Sequence, residues 1–186
     1  MDEKAELAEI LRKNSYFSGE FVLASGRHTT YYFDCKLTTY SEPRGLELAA
    51  ALILDQVRPL RGRLQAIGGL TLGAAPLAIA VSQQAWKEGW RLPAFAVRKE
   101  PKQHGRQRLI EGTVEPAWEV AILDDVITSG ESALIAAEAA ESYRSQVVRV
   151  VAVVDREQGA SQIFQQKGYP FTPLFSIGEL LPAQRG

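Results

Sequence analysis

Two neighbouring carboxylates open the most informative segment of this chain. Asp124 and Asp125 follow the apolar run 120–123, and small hydroxyl-bearing residues come next, before an alanine-rich stretch of helical character. In full, the segment contains Asp124, Asp125, Val126, Ile127, Thr128, Ser129, Gly130, Glu131 and Ser132. Backbone N–H groups at the start of a helix, helped by Thr and Ser hydroxyls, attract an anion. The pattern therefore predicts a seat for a phosphate group.

The two carboxylates need a different partner, because like charges repel and neither can serve a phosphate. A diol such as a ribose offers hydroxyl donors, and carboxylates also stabilise positive charge that develops on a sugar ring. A phosphate seat beside a diol seat describes a ribose 5-phosphate. The alternative is an ordinary turn in which Thr128 or Ser129 caps the helix and Asp125 is solvated. The glycine-rich patterns GxGxxG and GxxxxGK, typical of two other phosphate loops, do not occur in the sequence.

A basic segment, 98–108, carries five Lys or Arg side chains, one histidine and one acid. Such a run is usually a solvated loop, but a loop of this length in a compact domain is uncommon unless it has a function. Arginine forks and mobile lysine charges suit a diphosphate, and Gly105 and Gly112 would let the loop move as a lid. His104, inside this basic run, could contact the diphosphate or act as a general acid.

Two further segments could recognise a planar, acidic acceptor. In Phe21–Lys36, Tyr32 or Phe33 could stack on a ring as part of a hood, although aromatic residues in a hairpin often only pack the core. Arg156 follows the apolar run 146–154 and could bind a carboxylate through two hydrogen bonds. It could equally pair with Asp155 or Glu157 on a solvated rim.

The elements that must position these residues alternate between strand and helix. Helices are predicted at Glu3–Lys13, Glu42–Gln56, Ala75–Glu88, Glu131–Ser142 and Gly159–Lys167. Strands are predicted within Glu20–Cys35, where Ser25-Gly26 makes a turn, and at Leu64–Gly68, Pro93–Arg98, Glu119–Leu123, Gln146–Val154 and Phe171–Phe175. A tight turn is expected at Gly68-Gly69. This α/β alternation predicts a mostly parallel sheet with helices on both faces, and a ligand site at the carboxyl ends of its strands.

The bulk composition narrows the functional class. The 186 residues suit one domain spanning 1–186, with a net charge of −1 that offers no basic footprint for nucleic acid or a membrane surface. The one cysteine, Cys35, excludes an internal disulfide, so a cytoplasmic location is expected. The first thirteen residues lack the apolar stretch of a signal peptide, and no run of 18 apolar residues predicts a membrane span.

Several segments resemble one family in the same order along the chain. Leu123–Ser132 resembles the phosphoribosyl diphosphate loop of type I phosphoribosyltransferases. Val97–Gly112, Phe21–Lys36 and Val153–Gly159 are similar to the mobile loop, the hood and the acceptor-binding strand end of the orotate phosphoribosyltransferases. Gly68–Pro76 is similar to that family's second diphosphate-binding turn. The chain departs from some members at Ala24, and at Leu72 and Gly73, where those members carry a lysine and a Tyr-Lys pair.

The resemblance implies a type I phosphoribosyltransferase fold, with residues 1 to about 40 and the C-terminal segment contributing to a hood over the base. It implies transfer of phosphoribosyl from its diphosphate to orotate, with Mg²⁺ carried by the diphosphate rather than by side chains, in a homodimer with shared sites. The implied catalytic residues are Lys102, His104, Asp124 and Asp125. The implied diphosphate contacts are Arg98, Lys99, Lys102 and His104, and the implied orotate contacts are Tyr32, Phe33, Thr128 and Arg156. Transfer to another base and a non-catalytic sensor of the same fold remain the alternatives.

Overall fold

The structure, a computed structural model, describes residues 2–22, 26, 28–100 and 109–181. Lys102 and His104, the two predicted catalytic residues of the basic loop, lie outside these ranges, as does Ala24. In the described ranges the helices are α1 (Glu3–Ser15), α2 (Lys36–Thr39), α3 (Pro43–Val57), α4 (Ala74–Lys87), α5 (Glu131–Ser142), α6 (Ala160–Lys167) and α7 (Ile177–Leu180). The strands are β1 (Tyr16–Val22), β2 (His28–Phe33), β3 (Leu64–Leu70), β4 (Ala94–Val97), β5 (Ile110–Glu111), β6 (Glu119–Ile127), β7 (Gln146–Asp155) and β8 (Phe171–Ser176).

The strands form a central sheet and a separate hairpin. The central sheet has the order β5-β4-β3-β6-β7-β8, and all neighbours from β4 to β8 are parallel, whereas β5 runs antiparallel to β4. Strands β1 and β2 pair antiparallel as the hairpin that we call the hood, with Gly26 at a φ of +78° between them. Because parallel strands end at the same edge, β3, β6 and β7 bring their carboxyl ends together.

Helices cover both faces of the central sheet. Along β6, Ala121 and Leu123 pack with α1, α3 and α4, whereas Val120 and Ile122 pack with α5 and α6. Successive side chains of a strand point to opposite faces, so this alternation divides the core into two layers. The predicted α/β class, with a mostly parallel sheet flanked by helices, is confirmed. No helix in the described ranges is long and apolar enough to cross a membrane.

Two predicted boundaries are wrong at the centre of the sheet. Strand β3 continues through Gly68 and Gly69 to Leu70, where a tight turn was expected. A Cβ at Gly68 would lie 2.2 Å from the Phe95 carbonyl oxygen, and one at Gly69 would lie 2.1 Å from that of Leu123. These glycines therefore allow β3 to approach both neighbouring strands closely, and they do not end the strand.

Strand β6 is also longer than its apolar run indicates. It extends to Ile127, and its pairing with β7 continues at Asp124, Val126 and Ile127. The carboxylates, predicted just after the strand, thus lie within it, because β7 supplies backbone partners beyond the hydrophobic residues. Helix α2, helix α7 and strand β5 were not predicted.

Candidate active site

The acidic pair lies at the carboxyl end of β6, in the middle of the central sheet. Asp124 and Asp125 are 6% and 3% exposed, so neither is a solvated turn residue. Asp124 Oδ1 accepts the backbone N–H of Asp125 at 3.0 Å, and Asp125 Oδ1 accepts that of Val126 at 3.0 Å. Burial, followed by the charge of Asp125, raises the pKa of Asp124 to about 8. The pair therefore holds one acidic proton near neutral pH.

A lysine that follows the hood contacts the acidic pair. Lys36, the first residue of α2, places Nζ 3.0 Å from Asp125 Oδ2. Burial lowers the pKa of Lys36, but the Asp125 charge and hydrogen bond outweigh it, so the pKa is raised. The ammonium is thus kept charged beside the carboxylate.

The turn after β6 is built for an anion. Gly130 has a φ of +83° and occupies the N-cap position of α5, with no side-chain hydrogen bond capping the helix among the described residues. The alternative in which Thr128 or Ser129 caps this helix is therefore wrong. A cavity of about 80 Å³ is lined by Asp124 and residues 126–132. Uncapped N–H groups and free hydroxyls thus surround a space at the helix start.

A second cavity of about 270 Å³ adjoins the first. Its lining includes the acidic pair, Thr128 and Ser132, which ties it to the phosphate seat. The rest of its wall comes from the turn after β3 and from two lysines, namely Leu70, Thr71, Leu72, Gly73, Lys36 and Lys99, with Val126. The arrangement brings a small candidate anion seat, a pair of carboxylates and two cations together around two cavities with shared walls.

Arg98, at the base of the basic loop, has a different neighbour. Its Nη1 lies 3.2 Å from Glu111 Oε1, and its backbone N–H donates to Leu109 O at 2.8 Å. It is absent from the lining of both cavities. These contacts close the base of the loop, and its expected contact with diphosphate remains a prediction.

Arg156 lies where β7 ends, beside the phosphate seat. Its backbone N–H donates to Ile127 O at 2.8 Å, which fixes the residue against the end of β6. Its guanidinium lies over the Tyr31 ring at 5.4 Å from the centroid, with Nη2 3.5 Å from the Tyr31 hydroxyl. Its Nε is buried and has no hydrogen-bond partner in the described part of the chain. A buried donor without a partner is costly, so it marks a place for an acceptor that a ligand brings.

The alternative partners of Arg156 do not pair with it, and Asp155 is engaged elsewhere. Asp155 Oδ1 accepts the backbone N–H of Glu157 at 2.8 Å, and Asp155 Oδ2 lies 3.4 Å from Ser161 Oγ. No ion pair joins Arg156 to either acid within the described ranges. The expectation of a solvated rim pair is thus not met.

The predicted aromatic contacts of the hood divide between two faces. The Tyr32 ring packs with Phe17 and Phe21, at centroid distances of 6.5 and 5.7 Å, and Phe33 is buried in the core. Tyr31 instead faces Arg156 and stacks on Tyr16 at 6.0 Å. The sequence analysis did not single out Tyr31. The strand period of two, which puts Tyr31 on the inward face with buried Phe33, could have identified it.

A larger cavity lies away from this chemistry. It measures about 710 Å³ and is lined near the amino ends of β3 and β4, where Leu64, Gln65 and Pro93 contribute. In parallel α/β sheets ligands bind at the carboxyl ends of strands. We therefore assign the candidate active site to the smaller cavities beside Asp124 and Asp125.

Known proteins resemble this chain over almost its whole length. No protein-family model matches it. An orotate phosphoribosyltransferase of Rhodopseudomonas palustris strain BisB5 is 40% identical over 182 residues, covering 96% of this chain and 96% of that protein. The chain belongs to the orotate phosphoribosyltransferase family. The resemblance noted in the sequence is thereby confirmed.

Solved structures of the orotate phosphoribosyltransferase family share the fold. The Mycobacterium tuberculosis H37Rv enzyme in complex with Fe(III) dicitrate has a TM-score of 0.84 at 36% identity, covering 96% of this chain and 98% of that chain. The same enzyme in complex with 5-phospho-α-D-ribosyl 1-diphosphate has a TM-score of 0.80 at 32% identity, covering 96% and 98%. The helix-flanked sheet described above is thus the fold of this family.

Proposed function

We propose that this chain transfers the phosphoribosyl group of 5-phosphoribosyl 1-diphosphate to orotate, giving orotidine 5′-monophosphate and diphosphate in pyrimidine biosynthesis. It is a pentosyltransferase enzyme, as the family implies. The choice of acceptor rests on the Arg156 guanidinium. Its Nε is buried and has no hydrogen-bond partner among the described residues, and the group lies over the Tyr31 ring. A planar acceptor with a carboxylate satisfies both features, whereas a purine offers no carboxylate.

The donor is held by segment 124–132. The backbone from Thr128 to Ser132 receives the 5-phosphate in the 80 Å³ cavity at the start of α5. Asp124 and Asp125 accept hydrogen bonds from the ribose hydroxyls and favour positive charge on the ring as its bond to diphosphate breaks. Val126, Ile127 and Glu131 supply backbone and shape to the same seat.

The acceptor is oriented by the hood and by the end of β7. Arg156 binds the orotate carboxylate, and Thr128 contacts the acceptor from the phosphate side. Tyr31 offers the ring face beside Arg156. The Tyr32 ring packs against Phe21, and the Phe33 side chain is buried. We therefore expect Tyr32 and Phe33 to contribute through their backbone groups.

The leaving diphosphate is covered by the basic loop. Lys99 lines the 270 Å³ cavity, and Arg98 lies next to it at the start of the loop. Lys102 and His104, which lie outside the described residues, complete the predicted set. Holding the reactants and excluding water from a cation-like ring would supply most of the catalysis, so no covalent nucleophile is needed. The Cys35 thiol fits this view, because burial raises its pKa well above the usual value.

Magnesium completes the proposal. In the described part of the chain no group of three or more His, Cys, Asp or Glu side chains is placed to hold a metal ion. The carboxylates near the cavity are an adjacent pair, and Lys36 already engages one of them. These residues fit an ion that arrives bound to the diphosphate and neutralises the charge of the leaving group. Activity should therefore rise with Mg²⁺ at constant donor and vanish on chelation.

A homodimer with shared sites is our proposal for the assembly. Leu72, Ile79 and Trp86 recur at intervals of seven along the turn before α4 and α4 itself, and they are 67%, 55% and 69% exposed. Exposed apolar side chains in such a row favour a protein partner. Leu72 also lines the 270 Å³ cavity, so a second copy on this face would lie beside the active site.

We also propose that the enzyme works in the cytoplasm. Cys35 is the one cysteine of the chain and is a buried thiol, a state that a reducing compartment preserves. Fractionation of cells that express a tagged chain would test this, and recovery in an exported fraction would contradict it.

Diphosphate release is the experiment that tests the function. Purified chain with phosphoribosyl diphosphate and Mg²⁺ should release diphosphate with orotate, and not with adenine, hypoxanthine or uracil. Equal diphosphate release with a purine would show that the acceptor is not specifically orotate. Tight donor binding without release on any base would favour a non-catalytic sensor.

A further inference from the structure

Lys36 connects the hood to the acidic pair, and the family resemblance assigns it no role. It begins α2, three residues after β2 ends, and is 89 residues before Asp125 in the sequence. Its Nζ nevertheless lies 3.0 Å from Asp125 Oδ2. The Lys36 side chain is 47% exposed, whereas that of Asp125 is 5% exposed. One end of this ion pair therefore lies in the protein interior and the other remains open to a ligand.

The acidic pair needs a cation at this position. Two adjacent carboxylates in a buried site repel each other, and an isolated buried charge is strongly disfavoured. Of the ion pairs between described residues, the pair with Lys36 is the one that involves Asp124 or Asp125. Lys36 thus places a positive charge against Asp125, next to Asp124, whose pKa is raised to about 8.

Backbone groups pack closely against the acidic pair. A Cβ at Gly73 would lie 2.3 Å from Asp125 Oδ1 and 2.8 Å from Asp124 Oδ1, so the backbone of the turn after β3 closes on both carboxylates. The backbone N–H groups of Asp125 and Val126 occupy one oxygen of each residue. The 270 Å³ cavity, lined by both carboxylates and by Lys36, is where a ligand would meet them.

The turn after β3 offers the same cavity no cationic side chain. It consists of Thr71, Leu72 and Gly73, and Lys99 is the other lysine in the lining. Lys36 is therefore the cation that directly contacts the carboxylates expected to hold the ribose. Its backbone lies just after the hood, and its N–H donates to Asp34 Oδ1 at 3.0 Å.

We propose that Lys36 is a positioning residue of the transfer reaction, whose ammonium holds the Asp125 carboxylate in the orientation that accepts hydrogen bonds from the ribose hydroxyls of the donor. The inference rests on the proposed function, and it adds to it a link between the hood and donor binding. Lys36 touches Asp125 and acts through it on the ribose.

Donor binding without the acceptor gives the direct test. Titration calorimetry with phosphoribosyl diphosphate and Mg²⁺ would compare wild type with Lys36→Met and Lys36→Arg. We expect Lys36→Met to weaken donor binding about ten- to a hundredfold, the usual loss for one hydrogen bond to a charged group. Lys36→Arg should recover most of it, because it restores the cation. At saturating donor, the KM for orotate should stay close to the wild-type value.

The pH dependence separates positioning from a purely structural role. The titratable groups around Asp125 are Lys36, Asp34, Cys35, Asp124 and Lys99. The Lys36 charge lowers the pKa of Asp124, so without this cation the Asp124 carboxyl takes up a proton more readily. The acidic limb of donor binding should then move to higher pH in Lys36→Met and return in Lys36→Arg.

Lys13→Met serves as the matched control, because Lys13 is an exposed lysine in the last turn of α1. It should bind the donor like wild type. Wild-type affinity in Lys36→Met would overturn the proposal. The proposal would also be overturned if Lys36→Met lost the same donor affinity at every pH and had a lower melting temperature, and if Lys36→Arg did not restore that affinity. If wild type binds the donor but does not turn over orotate, only the choice of orotate as acceptor is refuted. If wild type does not bind the donor, both the proposed function and the role of Lys36 are refuted.

Discussion

At the scale of single residues, the site works by leaving charged groups incompletely satisfied. Arg156 keeps a buried Nε without a partner in the described part of the chain, although burial of a polar group normally requires one. Such a group lowers stability in the free protein and gains a partner when a carboxylate binds. Lys36 and Asp125 show the complementary case, in which an ion pair holds a buried charge ready for the ligand.

Arg156→Ala should raise the KM for orotate about ten- to a hundredfold, because a hydrogen bond to a charged group contributes about 1.5–3 kcal/mol. Donor affinity should change little, since the 80 Å³ phosphate seat does not include Arg156. Steady-state kinetics with orotate varied, and calorimetry with the donor, measure the two effects. An unchanged KM for orotate would contradict the assigned role.

Asp124→Asn should change how stability depends on pH. Asp124 has a pKa of about 8 in the folded chain, against an ordinary value of 3.8. Between these values the folded state keeps a proton that the unfolded state loses, so stability falls as pH rises and levels off above about pH 8. Melting temperatures from pH 4 to 9 should show wild type losing stability relative to the asparagine variant across this window. A constant difference between the two proteins would refute the assignment.

At the scale of elements, the strand–turn–helix from β6 to α5 builds most of the donor site. The turn depends on Gly130, whose φ of +83° is a conformation that other residues adopt at a cost of about 1–2 kcal/mol. A Cβ there would also lie 2.9 Å from Phe164 Cζ. Backbone geometry and the packing of α6 thus set the shape of the phosphate seat together.

Gly130→Ala should therefore lower stability and weaken donor binding, with a severalfold rise in the KM for phosphoribosyl diphosphate. Gly168→Ala is the matched control, because Gly168 has a φ of +75° at the end of α6 and nothing within 4 Å of an added Cβ. It should lose about the same backbone free energy, about 1–2 kcal/mol, and leave donor binding unchanged. Urea unfolding and donor kinetics would measure both. Equal donor affinity in the two variants would show that the turn is not the seat.

At the scale of the whole molecule, we propose that residues 1–186 act as one domain that is active as a dimer. The hood packs on the central sheet through Tyr31 and Phe33 and reaches its end through Lys36. The exposed row on α4 then provides the surface for a second copy.

Trp86→Glu should convert the dimer to a monomer, because it places a charge in the apolar row. Light scattering coupled to size exclusion would measure the mass. Ile135→Glu is the control, since Ile135 is an apolar residue of α5, 38% exposed, outside the α4 row. A Trp86→Glu dimer, or equal dissociation by both substitutions, would place the interface elsewhere.

Mixed dimers test whether the sites are shared. Lys102→Ala and Asp125→Asn should each be nearly inactive alone. If the basic loop serves the partner's site, random exchange of the two variants should restore about a quarter of wild-type activity, since half the dimers are mixed and each has one intact site. Activity that does not rise on mixing would indicate sites completed within one chain.

The sequence by itself determined the class of fold, and it predicted the chemistry of the site. The acidic pair with its hydroxyl-rich turn predicted a phosphate seat beside a diol seat, and strand–helix alternation predicted the parallel sheet. Both follow from local patterns, namely residue types at short spacing and hydrophobic periodicity. The position of Arg156 just after an apolar run likewise predicted that it could bind a carboxylate. Helix α7 was missed, although Ser176 and Glu179 form a capping box that signals a helix start.

Only the tertiary structure decided what depends on distant segments. Strand β6 extends to Ile127 because β7 pairs with it. Gly68 belongs to strand β3 and not to a turn, and its missing side chain allows Phe95 of the neighbouring strand to approach closely. Tyr31 faces Arg156 across 125 residues of sequence, and Lys36 reaches Asp125 across 89. No local pattern contains such contacts, because they arise from packing the hood over the carboxyl edge of the sheet. The acidic pair therefore acquires its burial, its proton and its cation from the fold.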